Sequence, residues 1–200
     1  MDNIIWGFDP DISKYSLKEV CFYILTFSIL VLLMGKYLEE QKIGKKYLKL
    51  IRYNKISHYW HVLCLKIICL SFIEITCLFL LIIVGKMIMG QLGLKDNWYM
   101  AYILWTLGFY TISMILLLLI NYRRCEKFSF LLIILVEVLS LYGSSIFGQN
   151  SHQLPGDFIM INRSNLILQN GYPVSLVVIV QFLLNFVMAI FGYRFSIRRK

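Results

Sequence analysis

Residues 62–85 read VLCLKIICLSFIEITCLFLLIIVG. As an α-helix this stretch is about 36 Å long, which exceeds the roughly 30 Å thickness of the hydrocarbon layer of a bilayer. It contains two ionisable residues, Lys66 and Glu74, among apolar neighbours. We interpret it as a transmembrane helix.

The composition of the whole chain agrees with this interpretation. Mean hydropathy is +0.71, and 59% of the 200 residues are hydrophobic while 16% are charged. A soluble globule has too little core to hide so much apolar surface. The net charge of +9 comes from cations at the ends of apolar runs, not between aromatic residues, which argues against a nucleic-acid partner. We predict an all-α, polytopic membrane protein forming one domain over residues 1–200.

Five apolar windows are long enough to cross a bilayer. They cover residues 20–37, 62–85, 98–120, 128–147 and 174–193. Aromatic residues near their ends, such as Trp60, Trp98 and Tyr99, are predicted to lie at the headgroup level.

The distribution of cations predicts the orientation of these spans. Fourteen of the twenty Lys and Arg residues lie in the first connection, the third connection or the C-terminal end: Lys36, Lys42, Lys45, Lys46, Lys49, Arg52, Lys55, Arg123, Arg124, Lys127, Arg194, Arg198, Arg199 and Lys200. Short connections rich in Lys and Arg stay on the cytoplasmic side. We therefore expect an external N-terminus, a cytoplasmic C-terminus and a location in the plasma membrane as a multi-pass protein.

The first connection, residues 39–59, is predicted to form a cytoplasmic amphipathic helix. Its cations fall on one helical stripe, with Ile43, Tyr47, Leu50 and Ile51 beside them. Such a helix either lies on the membrane surface or binds a partner protein.

Polar residues within the spans form a second group of interest. Glu74 and Glu137 are near the middle of their spans, where a lipid-facing charge costs at least roughly 2.5–3.5 kcal/mol. We therefore expect both to face other helices or a wet cavity, as proton sites or path-lining residues, or as hydrogen-bonded carboxyls that join helices. Ser140, Gln181 and Asn185 lie at helical spacing on faces that we expect to meet protein.

The external segment 148–173 is interrupted by turn signals at Pro155 and Gly156 and carries Arg163 in a short apolar stretch. It is predicted to dip into the outer leaflet and return, and a plain exposed loop is the alternative.

We expect no catalytic residue, bound cofactor or metal site in this chain. His58 and His61 stand at i, i+3, but no carboxylate lies nearby in sequence to complete a zinc site, so we interpret them as interfacial residues. The sequence has no GxxxxGK[ST] phosphate-binding loop, and ATP hydrolysis is therefore expected only from a partner.

The layout resembles the permease subunits of type-2 ATP-binding-cassette (ABC) exporters. A basic segment ends in Ile51-Arg52-Tyr53 and is followed by Tyr59-Trp60, alternating spans, and Leu154-Pro155-Gly156 with Met160 and Arg163-Ser164 before the last span. The resemblance is greatest to small Firmicute permeases associated with lantibiotic and other bacteriocin export or self-immunity, which implies a Gram-positive source. That family usually has six spans and a cytoplasmic N-terminus, whereas five spans are predicted here.

The resemblance implies a role for each segment. Residues 39–59 would contain the coupling helix that docks on an ABC ATP-binding subunit, through Lys45, Lys46, Tyr47, Lys49, Leu50, Ile51 and Arg52. Residues 148–173 would form two short re-entrant helices. ATP and Mg would be bound by the partner ATPase, and a second permease subunit or a homodimer partner would complete the path for an amphipathic peptide. Membrane lipids would be further partners of the basic segment.

Two other functions remain open at this point. One is a non-transporting membrane protein that confers immunity or regulates by binding a peptide. The other is an intramembrane enzyme that uses Glu74 and Glu137.

Overall fold

A computed structural model describes residues 17–40, 56–88, 98–123, 126–147 and 174–198, with some side chains at helix ends outside the description. These residues form five α-helices. We label them α1 (Leu17–Glu40), α2 (Ile56–Ile88), α3 (Trp98–Arg123), α4 (Glu126–Phe147) and α5 (Val174–Arg198). The described part of the chain is therefore all-helical, as predicted.

Four stretches of the described helices are long and apolar enough to cross a membrane: Leu17–Glu40, His58–Ile88, Trp98–Ile120 and Ser175–Arg194. In α4 the apolar stretch whose side chains the structure describes is Ser129–Leu139, within a helix of 22 residues. This makes the chain a polytopic helical membrane protein. The count of five spans and their sidedness stay predictions.

The helices extend beyond the predicted spans. α1 continues to Glu40, and α2 begins at Ile56, so both ends of the predicted coupling segment 39–59 belong to flanking helices. Hydropathy marks only the part of a helix that fits hydrocarbon, whereas adding a further turn at a helix end needs no new nucleation. The remainder of that segment, 41–55, lies outside the described residues.

α3 is the central helix of the bundle. It contacts each of the other four helices, while α1 also contacts α4 and α2, and α2 also contacts α5. Within its apolar window 67% of residues are buried, against 22–33% in the other three candidate spans. A helix that is apolar around its whole circumference and carries no charge from Trp98 to Tyr122 is suited to this position.

Two contacts show that α3 and α5 run in the same direction. Asn185 bonds to Thr111, and about two turns further along both helices Gly192 faces Leu118. The start of α2 meets the end of α5, because the rings of His61 and Tyr193 lie close together in a tilted arrangement, with centroids 6.5 Å apart. α3 and α5 are therefore parallel, and α2 runs in the opposite direction to α5.

Two glycines allow close helix packing. A Cβ atom built on Gly35 of α1 would overlap the ring of Phe130 on α4, and one built on Gly192 of α5 would overlap the indole of Trp60 on α2. Small residues at such positions let a large neighbour pack against the helix backbone.

Many large apolar side chains on the outer faces are exposed. Examples are Leu32, Leu81, Phe182, Phe186 and Phe191, each more than half exposed. In water such a surface would drive aggregation, whereas lipid chains cover it without cost.

Candidate functional site in the helix bundle

A buried polar contact joins α1 to α4. Tyr23 donates a hydrogen bond from its hydroxyl to Glu137 Oε1 at 2.6 Å. The two residues are only 1% and 2% exposed, so no water or lipid headgroup reaches the pair. The Tyr23 ring also packs edge-on against Trp105 of α3, with ring centroids 6.1 Å apart. The prediction that Glu137 faces other helices is confirmed, and its carboxyl acts as a hydrogen-bonded link between them.

A second polar contact joins α3 to α5. Asn185 donates from Nδ2 to Thr111 Oγ1 at 2.8 Å, while Thr111 also donates to the carbonyl of Leu107 one turn earlier. Gln181, one turn before Asn185, is completely buried. The polar face predicted for the last helix therefore meets protein, as expected.

A third contact joins α2 to α3 and lies nearer the lipid. Thr76 Oγ1 and the Tyr102 hydroxyl are 2.7 Å apart. The Tyr102 ring meets Phe72 and Phe79 edge-on, at ring-centroid distances of 5.9 and 5.2 Å. This small aromatic cluster fixes α2 against the first half of α3.

Glu74 of α2 differs from Glu137 in its surroundings. It is only partly buried, and its buried oxygen Oε2 has no hydrogen-bond partner among the described residues. The Ser71 hydroxyl, one turn earlier, is fully buried and likewise has none within the described helices. The sequence left the same alternatives open for both glutamates, and within the described helices the structure shows a hydrogen bond to another helix for Glu137.

Trp60 is buried between helices, unlike Trp98 and Tyr99, two other aromatic residues predicted to lie at the headgroup level, which are 40% and 48% exposed. Trp60 is 4% exposed and donates from Nε1 to the carbonyl of Ala189 at 2.8 Å. The space left by Gly192 admits the ring between α2 and α5, where it fills an interhelical gap and satisfies its N–H on a helix carbonyl.

Sequence reasoning missed Lys86 as a buried residue. It directly follows the predicted span 62–85, yet it lies in the last turn of α2 and is 6% exposed. The sequence gives no indication of this burial, because a Lys next to Gly85 at the end of a span is ordinarily solvated.

Several predicted site residues lie outside the described part of the chain. They are the docking residues Lys45, Lys46, Tyr47, Lys49, Leu50, Ile51 and Arg52, and the re-entrant residues Pro155, Gly156 and Arg163. Ser140 belongs to α4, but its side chain is outside the description. These assignments stay predictions.

Chemically, the described bundle offers hydrogen-bonded helix contacts rather than a cluster of reactive groups. Among the described residues, no group of three or more His, Cys, Asp and Glu side chains is arranged to hold a metal ion. Glu74 and Glu137 lie on different helices, and Glu137 is already hydrogen-bonded to Tyr23.

The chain was compared with protein-family models, with curated proteins and with solved structures. None of the three comparisons yields a match.

Proposed function

We propose that this chain is the transmembrane subunit of an ABC exporter that expels an amphipathic peptide with energy from ATP hydrolysed by a separate subunit. The support is the order of its segments: a basic amphipathic stretch between the first two apolar helices, and a turn-containing stretch before the last. A second permease subunit or a second copy of this chain would complete the path.

The observation that carries the proposal is the attachment of Trp60 to α5. Trp60 lies in the second turn of α2, directly after the basic stretch, and its indole is bonded to Ala189 across the helix interface. A force applied to residues 43–52 would therefore act on α2 and α5 together. A coupling element needs such a rigid connection to the bundle.

The polar contacts divide the bundle in a way that suits this motion. α1 and α4 are joined through Tyr23 and Glu137, while α2, α3 and α5 are joined to one another through Trp60, the Thr76–Tyr102 contact and the Asn185–Thr111 bond. In the proposed mechanism, closure of the partner ATPases on ATP and Mg displaces the group formed by α2, α3 and α5 relative to the α1–α4 pair. The side chains of α2 and α5 that face the second permease subunit then change.

The experiment is affinity purification from the native host in mild detergent. An ATP-binding subunit is expected to copurify with the tagged chain, and the double substitution Leu50→Asp with Ile51→Asp should abolish its recovery by placing charge on the apolar strip. The matched control is Asn54→Asp with Ser57→Asp, which adds the same charge at positions already polar. Equal recovery of the ATPase with both double variants would refute the docking assignment.

The same purification separates the alternatives. A chain that binds peptide without any ATPase partner, and whose basic segment associates with anionic lipid in a salt-sensitive way, would be an immunity or regulatory protein instead. An intramembrane enzyme would lose function when Glu74 and Glu137 are both changed to Gln.

A further inference from the structure

A shallow groove on the lipid-facing side of the bundle separates α1 from the first half of α2. Its volume is about 320 Å³, and it is lined by Tyr37 of α1 and by Val62, Leu65, Lys66, Cys69, Leu70 and Ile73 of α2. A groove of this size is at the lower end of small-molecule pockets. It is too small for a helix, whose diameter with side chains is about 10–12 Å.

One cation interrupts the apolar wall. Lys66 is exposed and lies inside the apolar stretch His58–Ile88, about 15 Å along the helix axis from Ile56. At this depth an ammonium group extends its stem toward the nearest headgroups and seeks an anion there.

The position of the groove narrows the choice of ligand. It lies where α1 ends and α2 begins, and the sequence between these two helices is the basic stretch 41–55, which attracts anionic lipids. An apolar wall with one cation near its end matches an acyl chain attached to a phosphate, since a phosphate accepts charge-assisted hydrogen bonds from Lys.

We propose that this groove binds one anionic phospholipid, with its phosphate at Lys66 and an acyl chain along Leu65, Cys69 and Ile73. The lipid holds α1 and α2 together at the end of the bundle where direct contact between them is limited. This site does not depend on the transport function proposed above.

The test uses the full-length chain in nanodiscs of equal parts phosphatidylglycerol and phosphatidylcholine, each in turn carrying a photoreactive acyl chain. Phosphatidylglycerol is expected to label residues 62–73 in preference to phosphatidylcholine. Lys66→Gln should lower this labelling about fivefold, as expected for one Lys–anionic lipid interaction, and Lys66→Arg should retain it. Lys36→Gln removes an equal charge from an exposed position that does not line the groove, and should leave labelling unchanged.

A second variant tests the apolar half of the site. Cys69→Trp keeps Lys66 but fills the groove, so labelling of residues 62–73 should fall while far-UV circular dichroism and elution volume stay as in the parent chain. Equal labelling by the two lipids, undiminished labelling of Lys66→Gln, or displacement of the lipid by free glycerol phosphate would each overturn the proposal.

Discussion

The hydrogen bond between Tyr23 and Glu137 permits a quantitative test of what holds α1 to α4. The substitution Tyr23→Phe removes one oxygen and keeps the ring that packs on Phe27 and Trp105, whose centroids lie 6.4 and 6.1 Å away. The effect on stability therefore reports the hydroxyl and not the aromatic packing.

The expected loss follows from burial. Both residues are at most 2% exposed, so nothing from solvent replaces the 2.6 Å bond to Oε1. Stranding a buried acceptor costs about 1–3 kcal/mol in soluble proteins, and interhelical hydrogen bonds in membrane proteins average about 0.6 with a maximum near 1.7 kcal/mol. We expect Tyr23→Phe to lower the free energy of unfolding by about 1–2 kcal/mol.

The assay is equilibrium unfolding in mixed micelles of a mild detergent and increasing sodium dodecyl sulfate, followed by far-UV circular dichroism. A double-mutant cycle with Glu137→Met isolates the pair, and its coupling energy should lie between about 0.6 and 1.7 kcal/mol. Glu137→Gln keeps an oxygen acceptor and should be milder than Glu137→Met. Tyr99→Phe, at a ring that is 48% exposed, is the matched control.

Additive losses of stability for Tyr23→Phe and Glu137→Met would refute the reasoning. A coupling energy within about 0.3 kcal/mol of zero would mean that the hydroxyl and the carboxyl act independently. An equal effect of Tyr23→Phe and Tyr99→Phe would mean that burial does not determine the loss.

Three further variants test other contacts in the same unfolding assay. Gly35→Val should destabilise the chain because its side chain overlaps the Phe130 ring, and adding Phe130→Ala should recover part of the loss; no recovery would place the clash elsewhere. Asn185→Ala should cost about 0.6–1.7 kcal/mol through its lost bond to α3, and an unchanged midpoint would contradict that bond. Trp60→Phe should lower stability by about 1 kcal/mol, because its hydrogen bond to α5 is lost. Gly192→Leu should lower stability by more, because its side chain overlaps the indole. A larger loss for Trp60→Phe than for Gly192→Leu would show that the hydrogen bond outweighs the packing.

The sequence predicts the helices of this chain well, because hydropathy and segment length together report whether a helix can cross the hydrocarbon layer. It also predicts that Glu137, Gln181 and Asn185 face protein, since lipid offers a polar group no partner. The same reasoning does not separate them from Glu74, which lies in a comparable apolar window but is only partly buried.

The pairing of helices could not be predicted in the same way. Lipid-facing Leu81 and buried Ile75 on α2 are both apolar, so the sequence has little contrast between lipid and core. Trp60 and Lys86 lie at the ends of predicted spans. At such a place the same residue types occur whether the side chain faces the headgroups or packs between helices. Only the packing against Gly192 distinguishes the two positions for Trp60.

The central place of α3 has a consequence for how the protein is made. Its residue Thr111 bonds to Asn185, which follows 74 positions later in the chain. At synthesis rates of about 5–20 residues per second, α3 waits about 4–15 s for that partner. During this interval α3 can be enclosed only by α1, α2 and, once it is made, α4. A chain that stops before α5 therefore exposes the α5-facing side of α3 to membrane quality control.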